Sequence, residues 1–117
     1  MMAIPFSSFF RPYQNTTIAA GTTGRVFYGK VYKSCIGFLQ TLGSNYYVGV
    51  KWNVIIDGEK IRIDEEKQLG EMPVGTLIEP PFLVRSGIEV TAENTSSYDL
   101  LLEVYVNGEV YPIKEIM

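Results

Sequence analysis

Hydrophobic positions recur with a period of two over much of this chain. In NYYVGVKWNVIID, Tyr46, Val48, Val50, Trp52, Val54 and Ile56 alternate with Asn45, Tyr47, Gly49, Lys51, Asn53, Ile55 and Asp57. Successive side chains of a strand point to opposite faces, so this spacing predicts a strand with one buried face. Asp57-Gly58 follows at once, and that dipeptide accepts the positive φ angles of a type I′ turn. A two-residue loop there sets Val54 opposite Ile61 and Trp52 opposite Ile63, joining apolar to apolar on one face.

The pattern repeats near the end of the chain. In DLLLEVYVNGEVYPI, Leu100, Leu102, Val104 and Val106 share a face before Asn107-Gly108. The same turn chemistry predicts a second hairpin, with Val104 opposite Tyr111 and Leu102 opposite Ile113. Pro112 has no amide donor, so its strand is expected at an edge, or to end there. Upstream, GIEVTAEN alternates Ile88, Val90 and Ala92 with Glu89, Thr91 and Glu93, and NTSSYD separates it from Leu100. TTIAA, RVFYGKVY and CIGFLQTL read as less regular strands, and TLIEPPFLV as a short strand broken at Pro80-Pro81. The one helical candidate, DEEKQLGEM over 64–72, is limited by Gly70 and Pro73 to a turn or two.

Many short strands, two sharp hairpins and longer connections at 64–76 and 94–99 predict an all-β, single-domain β-sandwich of Greek-key or jelly-roll type. With 117 residues there is room for one core. An extended N-terminal arm is expected over residues 1–15, and the sandwich over 16–117.

The charge balance narrows the partners. A net charge of −3 and a pI near 4.9 argue against nucleic acid. No stretch approaches the ~20 apolar residues of a membrane span, and the opening residues lack the basic start of a signal peptide. The single Cys35 has no intrachain partner for a disulfide, and reads as a small buried hydrophobe.

Candidate chemistry is sparse. The chain has no histidine, which removes Ser-His and Cys-His couples and the commonest metal ligand. Asp57, Glu59, Asp64, Glu65, Glu66 and Glu71 crowd the middle of the chain, but their spacing fails the calcium-loop pattern and suits a solvated hairpin and loop. No catalytic, cofactor or metal residue is expected, and the chain reads as a non-enzyme. Asn15-Thr16-Thr17 and Asn94-Thr95-Ser96 match the glycosylation pattern but read as chance matches.

PFSSFFRPY stands apart. Phe6, Phe9, Phe10 and Tyr13 share a short segment with Pro5 and Pro12, without clean alternation. One reading is an irregular first strand whose rings cover the domain's own core. The other is an arm held extended by proline, with Phe6, Phe9, Phe10, Arg11 and Tyr13 as subunit-interface candidates, its Phe9, Phe10 and Tyr13 inserting into a neighbour. The prolines favour the arm.

PPFLVRSGIEVTAENTSSYDLLLEVYVNGEVY resembles the closing strands of small β-sandwich virion proteins from tailed phages and related viruses. The matching residues are Ile88, Val90, Ala92 and Asn94, then a Ser/Thr-rich loop, then Leu100 through Gly108. VIIDGEKI is similar to the central hairpin of the same proteins, and together these cover about the C-terminal two thirds. The resemblance implies a virion location, with a capsid decoration or cement, head-fibre, connector or tail role. It implies contacts with the major capsid protein or other virion subunits, a homotrimer by preference, and no cofactor. The alternative is a carbohydrate- or receptor-binding sandwich that uses exposed rings such as Tyr46, Tyr47 or Tyr98 as stacking platforms.

Overall fold

The computed structural model describes residues 3–31, 34–45, 49–61 and 76–112. Asp57 and Gly58 have φ of 54° and 84°, and the chain reverses there as the dipeptide demands. Val54 pairs with Ile61 in the expected register, and Trp52 is half-buried against the core. The expected pairing of Trp52 with Ile63 lies outside the described residues. So do Tyr46, Tyr47, the helical candidate over 64–72 and the carboxylates from Asp64 to Glu71.

Nine strands are described. They are β1 (Ile4–Pro5), β2 (Tyr13–Ile18), β3 (Thr23–Lys30), β4 (Cys35–Ser44), β5 (Val50–Ile56), β6 (Glu59–Ile61), β7 (Thr76–Val84), β8 (Gly87–Asn94) and β9 (Leu100–Pro112), with a 3-10 turn at Phe6–Ser8. Sheet A has the order β1-β9-β4-β7, with β2 beside β1 on the same edge of β9. Sheet B has the order β3-β8-β5-β6. The chain changes sheet at every step from β2 to β9 except the β5–β6 hairpin, which is the strand order of an eight-stranded jelly roll. Inward residues of both sheets, among them Phe27, Val54, Ile88, Val90, Leu39, Leu102 and Val104, form one buried core.

Two expectations are corrected. Asn107-Gly108 is not a turn: β9 runs unbroken through it, with Val104 paired to Gln14 and Ser44, and Leu102 paired to Thr16. Neither residue has a positive φ. The glycine is there for space, because a Cβ on Gly108 would lie 2.2 Å from the Phe38 carbonyl oxygen and 2.7 Å from the Phe6 ring. A local turn preference yields here to ladders on both edges of β9, which a hairpin would forfeit. It follows that Pro112 lies on an interior strand, at the end of its described part. At Pro80-Pro81 the expected break is one of pairing only. The β4–β7 ladder passes from Leu39–Phe82 to Thr41–Leu77, while β7 itself continues.

The opening segment is the second correction. Phe6 is fully buried in the chain's own core, and Phe9 and Phe10 pack against that core. The rings of Phe6 and Phe10 lie 5.1 Å apart, and Phe10 meets Phe27 edge-on at 5.7 Å. Glycines receive these rings: a Cβ on Gly29 would lie 2.7 Å from Phe10, and one on Gly37 would lie 3.2 Å from Phe6. Proline fixes the backbone of this segment as expected, but the water-avoiding rings find their cover on the same subunit.

One polar side chain secures each end of the sandwich. At one end the Asp57 carboxylate accepts hydrogen bonds from the amides of Arg85, Ser86 and Gly87, the shortest at 2.6 Å, and so ties the β5–β6 turn to the β7–β8 turn. At the other, Asn94 is fully buried. Its amide donates to the carbonyls of Ile18 and Tyr98, and its oxygen accepts from the amide and hydroxyl of Ser96. With both amide hydrogens used inside the fold, Asn94 offers no glycan acceptor in the folded chain. Between the ends, Gln14 reaches from β2 across to β3. Its amide donates to the Tyr28 carbonyl at 2.8 Å and its oxygen accepts from the Tyr28 amide at 3.1 Å.

Phe6→Ala is therefore expected to cost ~3–5 kcal/mol and to lower the thermal midpoint by roughly 10–20 °C. An unchanged midpoint in a melt followed by circular dichroism would return the ring to an outward-facing arm. Asn94→Ala takes the side-chain donor from the Ile18 carbonyl and the acceptor from the Ser96 amide, while the Ser96 hydroxyl still reaches the Tyr98 carbonyl, and is expected to cost ~1–3 kcal/mol in urea unfolding.

Candidate interaction surface

Alternation along β9 turns Leu102, Val104, Val106 and Val110 into the core and leaves Leu101, Glu103, Tyr105, Asn107, Glu109 and Tyr111 on the outer face of sheet A. The register adds Tyr13 and Asn15 from β2, beside Tyr105 and Glu103. From β4 and β7 it adds Ile36, Phe38 and Leu83. Leu101 is 46% and Leu83 41% exposed, two of the large apolar side chains this fold leaves to solvent.

The face contains two similar units six residues apart along β9. In the first, the Tyr13 hydroxyl donates to Glu103 Oε1 at 2.8 Å, and the Tyr13 and Tyr105 rings lie 4.4 Å apart. In the second, the Tyr111 hydroxyl donates to Glu109 Oε2 at 2.8 Å, and Tyr111 meets Phe38 edge-on at 5.7 Å. Each carboxylate is thus held in place by a phenol. Partial burial pushes the Tyr105 hydroxyl above its ordinary value, and the Glu103 charge adds to this. For Tyr111 the hydrogen bond to Glu109 is the larger cause, followed by partial burial.

The two outer faces differ in charge. No Lys or Arg occurs in any described strand of sheet A. Every strand-borne cation of the described residues, Arg25, Lys30, Lys51 and Lys60, is exposed on sheet B. The register places these four outward, beside Glu89 and Glu93 of β8. Arg25 lies 4.6 Å above the ring of Tyr28.

Of the five interface candidates read from the sequence, Phe6 is buried, Phe9 and Phe10 are half-buried against the core, and Arg11 is exposed. Tyr13 alone joins the face of sheet A. Sequence reading missed Tyr105, Tyr111, Phe38, Glu103 and Glu109. The alternation of the four β9 residues was visible, but the false turn at Asn107-Gly108 divided their row, and Phe38 comes from β4. Tyr98, proposed as a stacking ring, is 75% exposed in the β8–β9 loop. Among the described residues no group of three or more His, Cys, Asp or Glu is placed to hold a metal ion, and Cys35 is free and half-buried.

The tyrosine shifts predict a pH dependence. A hydroxyl whose folded value is raised holds its proton more tightly in the fold, so its contribution is complete below the unfolded value of 10.0 and is lost as pH rises through the folded one. Ultraviolet titration is expected to show two tyrosines ionising late, and Glu109→Ala should return one of them toward the ordinary value. Compared with known proteins, the chain matches no family model, and no curated protein matches it in sequence.

Proposed function

We propose that this protein is a non-enzymatic virion structural subunit, of the capsid decoration or cement kind, which stabilises the particle by contacts through the outer face of sheet A. The observation that carries the reading is the asymmetry of the two outer faces. One is mixed in charge, with Arg25, Lys30, Lys51 and Lys60 exposed. The other has no cation in its strands and carries Leu83, Leu101 and two ring pairs. Aromatic rings with few charges are the composition of an interface core. The jelly-roll order adds support by analogy, since viral capsid domains use it, as do lectins and cupins. The virion assignment itself comes from the resemblance of residues 80–111.

A second reading, a carbohydrate- or receptor-binding module, has the strongly exposed Tyr98 in its favour, together with two tyrosine–carboxylate pairs on the face of sheet A. The two readings part experimentally. Leu83→Asp with Leu101→Asp places charge on exposed positions of the apolar face and should leave the thermal midpoint nearly unchanged. The double variant is expected to drop out of purified particles, as followed by co-sedimentation and electron microscopy. Wild-type incorporation by the double variant would overturn the contact reading. Binding of wild type to a glycan array, abolished by Tyr98→Ala, would favour the second.

A further inference from the structure

We infer that the outer face of sheet A docks head to tail on the outer face of sheet B of a second copy of this chain. The inference rests on the proposed reading of sheet A as the contact face and names its partner.

The sandwich edges are poor places to associate. β7 carries Pro80-Pro81, which interrupt a row of donors. β2 and β3 are already bridged by Gln14, which satisfies the Tyr28 amide and carbonyl. Edge pairing is therefore blunted on these strands, the edge strand β6 has only 3 residues, and the broad faces remain.

Charge selects which faces meet. Two copies of sheet A placed face to face would set Glu103 and Glu109 of each against a surface with no strand-borne cation. Sheet B supplies the missing sign, with Arg25, Lys30, Lys51 and Lys60 outnumbering Glu89 and Glu93 on its outer side. Long Lys and Arg stems cover apolar surface while their heads seek carboxylates. Arg and Lys also sit well on aromatic faces, and Arg25 already does so over Tyr28 within the chain. The spacing of Glu103 and Glu109, six residues of strand or ~20 Å, spreads the contact along β9.

The strands of sheet A hold 2, 6, 10, 9 and 13 residues, which at ~3.3 Å per residue and ~4.8 Å between strands give a face of roughly 600 Å². Those of sheet B hold 8, 7, 3 and 8 residues, a face of roughly 400 Å². Standard interfaces bury about 800 Å² per partner, so this contact belongs to the small, weak class that charge and salt control. Because the two faces lie on opposite sides of one sandwich, the contact is heterologous and leaves a free face at each end. It builds a row of copies rather than a closed ring of three.

Charge exchange tests this. Wild type is expected to self-associate at low salt by sedimentation velocity, and to weaken roughly tenfold or more as salt rises. Glu103→Lys with Glu109→Lys makes both faces basic, and Lys30→Glu with Lys60→Glu makes both acidic. Each variant alone should be monomeric, and an equal mixture should associate again. The neutral E103Q/E109Q and K30Q/K60Q pairs should each weaken association without rescue on mixing. Melting curves first confirm that the variants fold. Monomeric wild type at low salt, or a mixture that stays monomeric beside an associating wild type, overturns the inference. If wild type is monomeric while the Leu83→Asp, Leu101→Asp variant still drops out of particles, the contact face stands and its partner is another protein.

Discussion

The ring of Phe6 needs a space that only glycine leaves, and much of sheet A is arranged around that need. The ring lies against Gly108 of β9 and Gly37 of β4, where a Cβ would meet it at 2.7 and 3.2 Å. Both neighbours of β9 depart from regular pairing beside this point. β4 carries an extra residue between Leu39 and Thr41, and the N-terminal segment leaves its ladder between Pro5 and Tyr13. A strand with ladders on both edges has little freedom to bend, so the irregularity passes to its partners. That leaves the alternation of β9 unbroken, which sets Glu103, Tyr105, Glu109 and Tyr111 on one face.

Polar side chains fix how the two sheets sit on each other. The core itself is apolar and would tolerate sliding, since burial has no direction. Asp57 at one end of β8 and Asn94 at the other each bind backbone groups from separate connections. Gln14 adds a tie between edge strands of opposite sheets. Each pairs main-chain groups through a side chain rather than a ladder, and so helps to prevent an unsatisfied amide or carbonyl. These ties hold in place the two faces whose difference in charge underlies the functional reading.

That difference follows from how a jelly roll distributes its strands. Consecutive strands fall in opposite sheets, so a face is assembled from distant segments: β2, β4, β7 and β9 in sheet A, and β3, β5, β6 and β8 in sheet B. Among the described residues the strand-borne cations, Arg25, Lys30, Lys51 and Lys60, are thereby sorted onto one side. The net charge of −3 conceals this, because it averages over two surfaces of opposite character.

The sequence by itself determined the all-β class, the single core, the Asp57-Gly58 hairpin with its Val54–Ile61 register, and the buried faces of β5, β8 and the first half of β9. These depend on alternation and turn chemistry, which act between residues close in the chain. Tertiary structure alone decided what Asn107-Gly108 does, where Phe6 and Phe10 find cover, and which rings share a surface. An Asn-Gly pair suits a hairpin locally and a close-packed strand globally, and the distant Phe6 ring and Phe38 carbonyl decide between them. Proline in PFSSFFRPY restricts the backbone of that segment, but not the surface on which its rings settle. For those rings the answer lies in Gly29, Gly37 and Gly108, whose missing side chains become a slot only once β3, β4 and β9 are brought together, because a cavity is a property of neighbours in space and not of neighbours along the chain.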